Sequence, residues 1–275
     1  MPELPEVETY LRDLEPELLG RTVLSTQVHW PRTIAAPAVD AFIHGLRGRR
    51  FTNFDRRGKY MLLGLDNGQT LIVHLRMTGE FHLHPADVAA DKHTHVIMQL
   101  DDDRALHYRD QRKFGRFWLV NDPAAVLAKL GPEPLSAEFT PDILGQALAG
   151  RKAPIKALLL DQAVLAGVGN IYADEALFQA GIHPLRRGQE LTSAELTKLH
   201  ASVRAVLQRG IELQGSSLQN YVKLDGAKGG FQEEHQVFRK TGLPCPTCGH
   251  PIERIVVTQR STHFCPVCQG EGDRG

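Results

Sequence analysis

The sequence predicts an α+β multidomain chain: an N-terminal antiparallel β-sandwich with flanking helices, then a helical domain, then a β-hairpin held by cysteines. Three observations carry this. Short β-like runs separated by turn residues fill roughly positions 22–120. Helical periodicity replaces them beyond position 150. All four cysteines fall within the last 31 residues.

At the N-terminus, Val7, Tyr10, Leu11 and Leu14 recur at i, i+3, i+4 and i+7, which predicts an amphipathic helix over 6–15. Pro5 precedes it and Pro16 is expected to interrupt it. Strands follow at Thr22–Val28, Tyr60–Leu65, Thr70–Leu75, Val96–Leu100 and Phe117–Val120, punctuated by Asp66-Asn67-Gly68 and Asp101-Asp102-Asp103. Residues 121–150, rich in Pro, Ala and Gly, read as a connection. Helices are then expected at Ile155–Gln162, Ile171–Ala180 and Ser193–Arg209.

The cysteines form Cys245-Pro-Thr-Cys248 and Cys265-Pro-Val-Cys268, with 16 residues between the pairs. That spacing fits a four-thiolate zinc site, in which each C-x-x-C knuckle aims two sulfurs at one metal. Four thiolates leave no open position, so the zinc is structural. Two disulfides, or a redox pair, are the alternatives. Ile255–Val257 and Thr262–Phe264 read as the two strands of a zinc-held hairpin too poor in apolar residues to fold without the metal.

Composition sets further bounds. With 275 residues, 42% hydrophobic and 23% charged, the chain has the balance of an ordinary folded protein. No apolar run approaches the ~18 residues of a membrane span. The acidic N-terminus has no apolar core, so no secretory leader is expected and a cytoplasmic location is. Lys+Arg and Asp+Glu both number 32, a neutrality that argues at first against nucleic acid. The charges are segregated, however. Residues 1–20 carry six acids and one base, whereas 47–59 carry six bases and one acid. A basic face can coexist with acidic surfaces.

Several constellations could carry chemistry. Pro2 follows the initiator methionine, and its small size permits methionine removal. The secondary amine so exposed, with a pKa near ~8 for chain termini, could attack an electrophilic carbon and form an iminium. Glu3 and Glu6 could move protons beside it; a helix start with Pro and acids in its first turn is the plainer reading. Arg56-Arg57-Gly58-Lys59 offers a phosphate contact or proton carrier, or simply a solvated loop. His74-Leu75-Arg76-Met77 ends a strand with a Met able to wedge into a base stack. Arg109 to Gly115 joins cations to Phe114 in a turn, a mixture that suits nucleic acid. Gly167-Val168-Gly169-Asn170 opens a helix, and Asn170 could cap it or hold a phosphate.

Together these segments resemble the formamidopyrimidine-DNA glycosylase family of bacterial base-excision enzymes. The resemblance spans essentially the whole chain. It rests on Pro2 through Glu8, Arg57-Gly58-Lys59, His74 through Met77, Arg112 through Gly115, Leu130 through Leu135, Asp161 through Glu175, Thr262 through Pro266 and the cysteine spacing. It implies a catalytic sandwich (1–120), a connection (121–150), a helix-two-turn-helix domain with a lesion-capping loop (151–234) and a zinc-finger hairpin (235–275).

The resemblance further implies removal of oxidised purines such as 8-oxoguanine and formamidopyrimidines from double-stranded DNA by a monomer. Abasic-site cleavage follows by β,δ-elimination through a Schiff base on Pro2. Glu3 is the implied proton donor for sugar ring opening, Glu6 a supporting carboxylate, Lys59 and Arg260 the donors for the two eliminations. His74, His93, Arg151, Lys156 and Asn170 correspond to DNA-contact positions. Met77, Arg112 and Phe114 correspond to residues that fill the gap left by a flipped nucleotide, and the stretch Ser216–Phe231 to the loop over the damaged base. Gln111, Glu80, Phe238 and Ser261 depart from the commoner pattern. Two other functions fit the sequence: a related glycosylase for oxidised pyrimidines, and a non-catalytic zinc-ribbon DNA-binding protein.

Overall fold

The computed structural model describes residues 1–217 and 226–270, so residues 218–225 of the expected capping loop lie outside the described residues. The chain forms two units. One comprises Met1–Ala128 with Gln214–Gly229, the other Lys129–Leu213 with Gly230–Gly275.

The first unit opens with helix α1 (Leu4–Leu18), whose Leu4, Val7, Tyr10, Leu11, Leu14 and Leu18 are buried on one face. It runs two residues past Pro16, against expectation. A helical proline costs ~3 kcal/mol, but burying Leu14 and Leu18 contributes ~1.5–3 kcal/mol each. Strand β1 (Val23–Val28), strand β2 (Ile34–Ala36) and helix α2 (Val39–Leu46) follow, then β3 (Phe51–Arg57), β4 (Tyr60–Leu65) and β5 (Thr70–His74). The last four strands are β6 (Gly79–Pro85), β7 (Thr94–Leu100), β8 (Arg104–Asp110) and β9 (Arg116–Val120).

These strands make two sheets, ordered β1-β7-β8-β6 and β2-β9-β5-β4-β3. All pairs are antiparallel except β2 with β9. Alternate residues enter one core: Met61, Leu63 and Leu65 from β4, Leu71 and Val73 from β5, Val96, Met98 and Leu100 from β7, Leu106 and Tyr108 from β8, Phe117 and Leu119 from β9. Helix α2 and strands β2, β3, β6 and β8 are additions to the elements expected from sequence.

Helix α3 (Ala124–Leu127), which ends the first unit's leading segment, and helix α4 (Pro141–Leu148), in the second unit, lie in the stretch that reads as a connection. Helix α4 is capped by Thr140 and buries Leu144 and Leu148, an apolar pair masked by the surrounding Pro and Gly. Helices α5 (Ile155–Leu160), α6 (Asn170–Ala180) and α7 (Ser193–Glu212) follow. Helix α7 starts in a capping box, with Thr192 accepting from the Glu195 amide and Glu195 accepting from the Thr192 amide. Strands β10 (Glu253–Val257) and β11 (Arg260–Phe264) form the hairpin.

A buried carboxylate ties the hairpin's approach to α6. Glu175 accepts the backbone N–H groups of Gln236, Val237 and Phe238 at 2.9, 3.1 and 2.8 Å. Removing it strands three donors, two of them in buried bonds, at ~1–3 kcal/mol per group. Glu175→Ala is expected to lower the stability of this unit by about 3 kcal/mol in urea unfolding; a change below about 0.5 kcal/mol would show that water replaces the carboxylate.

Candidate active site and zinc centre

Pro2 is buried at the start of α1, with Glu3 and Glu6 only 3% and 2% exposed beside it. Glu3 is extended and stands as the helix N-cap. Its amide donates to one oxygen of Glu6 at 2.8 Å, and the Ser216 amide donates to the other at 2.8 Å. One carboxylate therefore fixes both the backbone next to Pro2 and the segment entering the 218–225 stretch. The pairing of Glu6 with Ser216 has no sequence signal, because 210 positions separate them.

Lys59 lies in a two-residue hairpin loop, where Gly58 takes the positive φ that such loops favour at their first position. The lysine is 4% exposed, so it is not a solvated loop residue. Arg56 holds this hairpin to α1 through Glu8 (2.9 Å) and donates to the Gly58 carbonyl (3.0 Å). His74, at the end of β5, packs edge-on to Tyr60 with ring centroids 4.6 Å apart. Burial, and then the charges of Arg76 and Lys59, push its pKa down to about 3. The Arg76 amide donates to His74 Nδ1 at 3.0 Å, which leaves Nε2 as the N–H donor of a neutral ring.

Two turns are joined by a buried aspartate whose role has no signal in the sequence. Asp110 accepts the Thr78 hydroxyl (2.5 Å), the Arg112 amide (3.2 Å) and the Gly115 amide (2.8 Å). The turn carrying Met77 is thereby fixed to the turn carrying Arg112 and Phe114. A β-carbon at Gly115 would fall 1.6 Å from the Tyr108 hydroxyl, so only glycine closes this turn. Arg112 lies 4.8 Å above the Phe114 ring, which is 46% exposed. Lys113 lies 4.2 Å above Trp30. His93 is half-buried and accepts the Asp110 amide on its carbonyl.

In the second unit, Asn170 is the first residue of α6 and not its cap; Gly169 occupies that position. The Asn170 side chain instead donates to the Ser261 carbonyl at 3.0 Å, beside Arg260. Thr258 and Gln259 form the hairpin loop with positive φ, and they present Arg260 exposed at the base of β11. Arg151 is exposed and 3.9 Å from Asp161. Lys156, which corresponds to a DNA-contact position, lies inside the fold. It is 0% exposed, its ammonium pairs with Asp174, and it donates to the Asn170 carbonyl at 3.2 Å. Asp174 also accepts the His263 amide at 3.0 Å. A lysine and an aspartate inside apolar helices were the available signal, since a buried charge requires an opposite partner.

Cys245 and Cys268 sulfurs lie 3.8 Å apart, Cys248 and Cys265 sulfurs 3.5 Å apart, and all four within 4.8 Å of one another. Thiolates at ~2.3 Å around tetrahedral zinc stand ~3.8 Å apart. The residues fit one closed, structural zinc ion. The Thr247 and Cys268 amides face the Cys245 and Cys265 sulfurs at 3.4 Å.

Three family models match the chain in order. They are the formamidopyrimidine-DNA glycosylase N-terminal domain over residues 1–117, the formamidopyrimidine-DNA glycosylase H2TH domain over 130–222, and the zinc finger found in FPG and IleRS over 242–270. The fold and this domain set define a zinc-finger DNA glycosylase. Formamidopyrimidine-DNA glycosylases of Herpetosiphon aurantiacus and Chloroflexus aurantiacus are 50% and 49% identical, over 98% of this chain and 100% and 98% of theirs. The Lactococcus lactis Fpg in complex with an abasic-site DNA superposes with TM-score 0.91 at 38% identity, covering 98% of this chain and 100% of that one. The Thermus thermophilus MutM (FPG) protein gives 0.89 at 44%, with the same coverage. The chain belongs to the formamidopyrimidine-DNA glycosylase family. No described helix is long and apolar enough to cross a membrane.

His74 gives a pH prediction. The unfolded chain protonates this ring below about pH 6.5, the folded protein only below about 3. Stability is thus fully present above pH 6.5 and falls as pH drops, by about 2 kcal/mol at pH 5 from this residue. Denaturant unfolding of His74→Gln should show a correspondingly shallower acid slope; an unchanged slope would mean the ring protonates in the folded state.

Proposed function

We propose that this chain excises oxidised purines from duplex DNA and then cleaves the abasic site through an iminium on Pro2. The observation that carries this reading is the carboxylate pair buried at Pro2, with Glu6 fixing the Glu3 amide. After loss of Met1, the Pro2 nitrogen attacks C1′ of the lesion sugar. The N–C1′ bond forms as the bond to the base breaks, and the base leaves with a proton. Glu3 protonates O4′ as the ring opens to the iminium. Loss of a C2′ proton then expels the 3′-phosphate, and a second elimination expels the 5′-phosphate. Lys59 and Arg260 serve as proton donors for the two departures. The zinc ion, when bound, holds the hairpin that carries Arg260.

His74 donates from its neutral ring to phosphate. Asn170, Arg151 and His93 contact the backbone. Lys156 acts from inside, holding the Asn170 carbonyl and Asp174 in place. Met77, Arg112 and Phe114 enter the gap left by the flipped nucleotide, with Arg112 reading the opposite cytosine. Complexes of the L. lactis protein with abasic-site and N7-benzyl-Fapy-dG DNA support this class of substrate.

Excision from duplexes carrying 8-oxoguanine opposite cytosine should exceed excision of thymine glycol opposite adenine. The reverse order would assign the chain to oxidised pyrimidines. Arg112→Ala should cost about 1–3 kcal/mol of opposite-base discrimination, roughly 5–150-fold in the ratio of kcat/KM values. An unchanged ratio would move that role elsewhere.

A further inference from the structure

The four-stranded sheet turns one face to the core, and its opposite face gathers histidines. His82 and His84 lie two apart on β6, hence on the same side. His107 on β8 pairs directly with His82 across the ladder. Facing residues have β-carbons ~5 Å apart. The His82 and His84 rings stack with centroids 5.8 Å apart, and the His84 and His107 rings meet edge-on at 4.9 Å. Imidazoles bound through nitrogen to one tetrahedral ion, at ~2.0–2.1 Å per Zn–N bond, have centroids ~5 Å apart.

His107 supplies an independent observation. It is 2% exposed, and its Nε2 has no hydrogen-bond partner among the described residues. A buried ring nitrogen left so costs ~1–3 kcal/mol, a cost that a ligand would remove. Glu80, two residues before His82 on the same face, places a carboxylate oxygen 3.2 Å from His82 Nε2. Arg109 is nearby, but both Glu80 and Asp91 pair with it at 2.6 Å, so the patch carries one more negative than positive charge. A β-strand His-x-His with a third histidine on the neighbouring strand is a suitable donor set for a borderline divalent ion, with Glu80 or water as fourth ligand.

We propose that His82, His84 and His107 form a second metal site, selective for Zn2+-class divalent transition ions and separate from the four cysteines. The nitrogens do not yet converge. Among the described residues the four cysteines are the only group of three or more such side chains with ligand atoms all within 4.8 Å of one another. Binding therefore rotates the half-buried His82 and His84 rings toward the fixed His107 ring. The ion would clip β6 to β8 on the face away from the core. Its loss should leave excision activity intact, since none of these residues belongs to the proposed catalytic or DNA-contact set.

The test uses the full-length, tag-free protein with its cysteine site already zinc-loaded. Equilibrium dialysis against micromolar Zn2+, read by elemental analysis, should give two zinc ions per chain. Co2+ added to the zinc-loaded protein should give a visible d–d band without thiolate charge transfer. His84→Ala and His82→Ala, both half-buried and tolerable to the fold, should each weaken the second ion at least tenfold and leave the first in place. One zinc per chain in the unaltered protein would overturn the proposal. So would a second zinc of unchanged affinity in both variants.

Discussion

A carboxylate taken out of water must be surrounded by donors, and this chain meets that demand by joining parts of its backbone remote in sequence. Glu6 gathers the amides of Glu3 and Ser216. Asp110 gathers Thr78, Arg112 and Gly115. Asp174 gathers Lys156 and His263, and Glu175 the chain leading to the zinc hairpin. Each is buried, so each requires its partners, and Glu6, Asp110 and Asp174 hold Glu3, Arg112 and Lys156 of the proposed site. The side chains of the proposed site stand largely on turns and at the ends of helices and strands, which have few packing constraints of their own. The buried acids supply the missing rigidity.

Burial also governs charge at the β3–β4 turn and the end of β5. Lys59 is buried beside the neutral His74, and the lysine's charge is one reason the imidazole stays unprotonated. A neutral ring whose Nδ1 already accepts an amide presents its other nitrogen as a donor at any physiological pH. On the turn beyond β8, Arg112 rests on Phe114, so a cation and an exposed aromatic ring project together. The apparent neutrality of the composition conceals this arrangement. Acids serve inside as anchors or are segregated on α1, while cations such as Arg112, Arg151 and Arg260 stay exposed.

Much of this was legible in the sequence because it is periodic or spaced. The α1 stripe, the strand Tyr60–Leu65 and the cysteine knuckles repeat at intervals set by helix, sheet and metal geometry. What escaped notice lacked such a period. Strand β3 is mostly polar, with Phe51 its one fully buried side chain. In β6, Phe81 and Leu83 alternate with His82 and His84, so its outer face disguised a half-buried strand. Helix α4 hid among prolines and glycines. Lys156 matched a DNA-contact position by motif, yet an apolar helix on either side of it signalled burial. The roles of Glu6 and Asp110 depended on partners that only folding brings near.

The central claim is that the amine of Pro2 forms the covalent bond to DNA. Borohydride reduction of the reaction with 8-oxoguanine duplex, followed by peptide mass mapping, tests it most directly. A stable protein–DNA adduct on the N-terminal peptide, attached at Pro2, is expected in molecules that have lost Met1. An adduct on Lys59 or another lysine, or no adduct from protein shown to begin at Pro2, would contradict it.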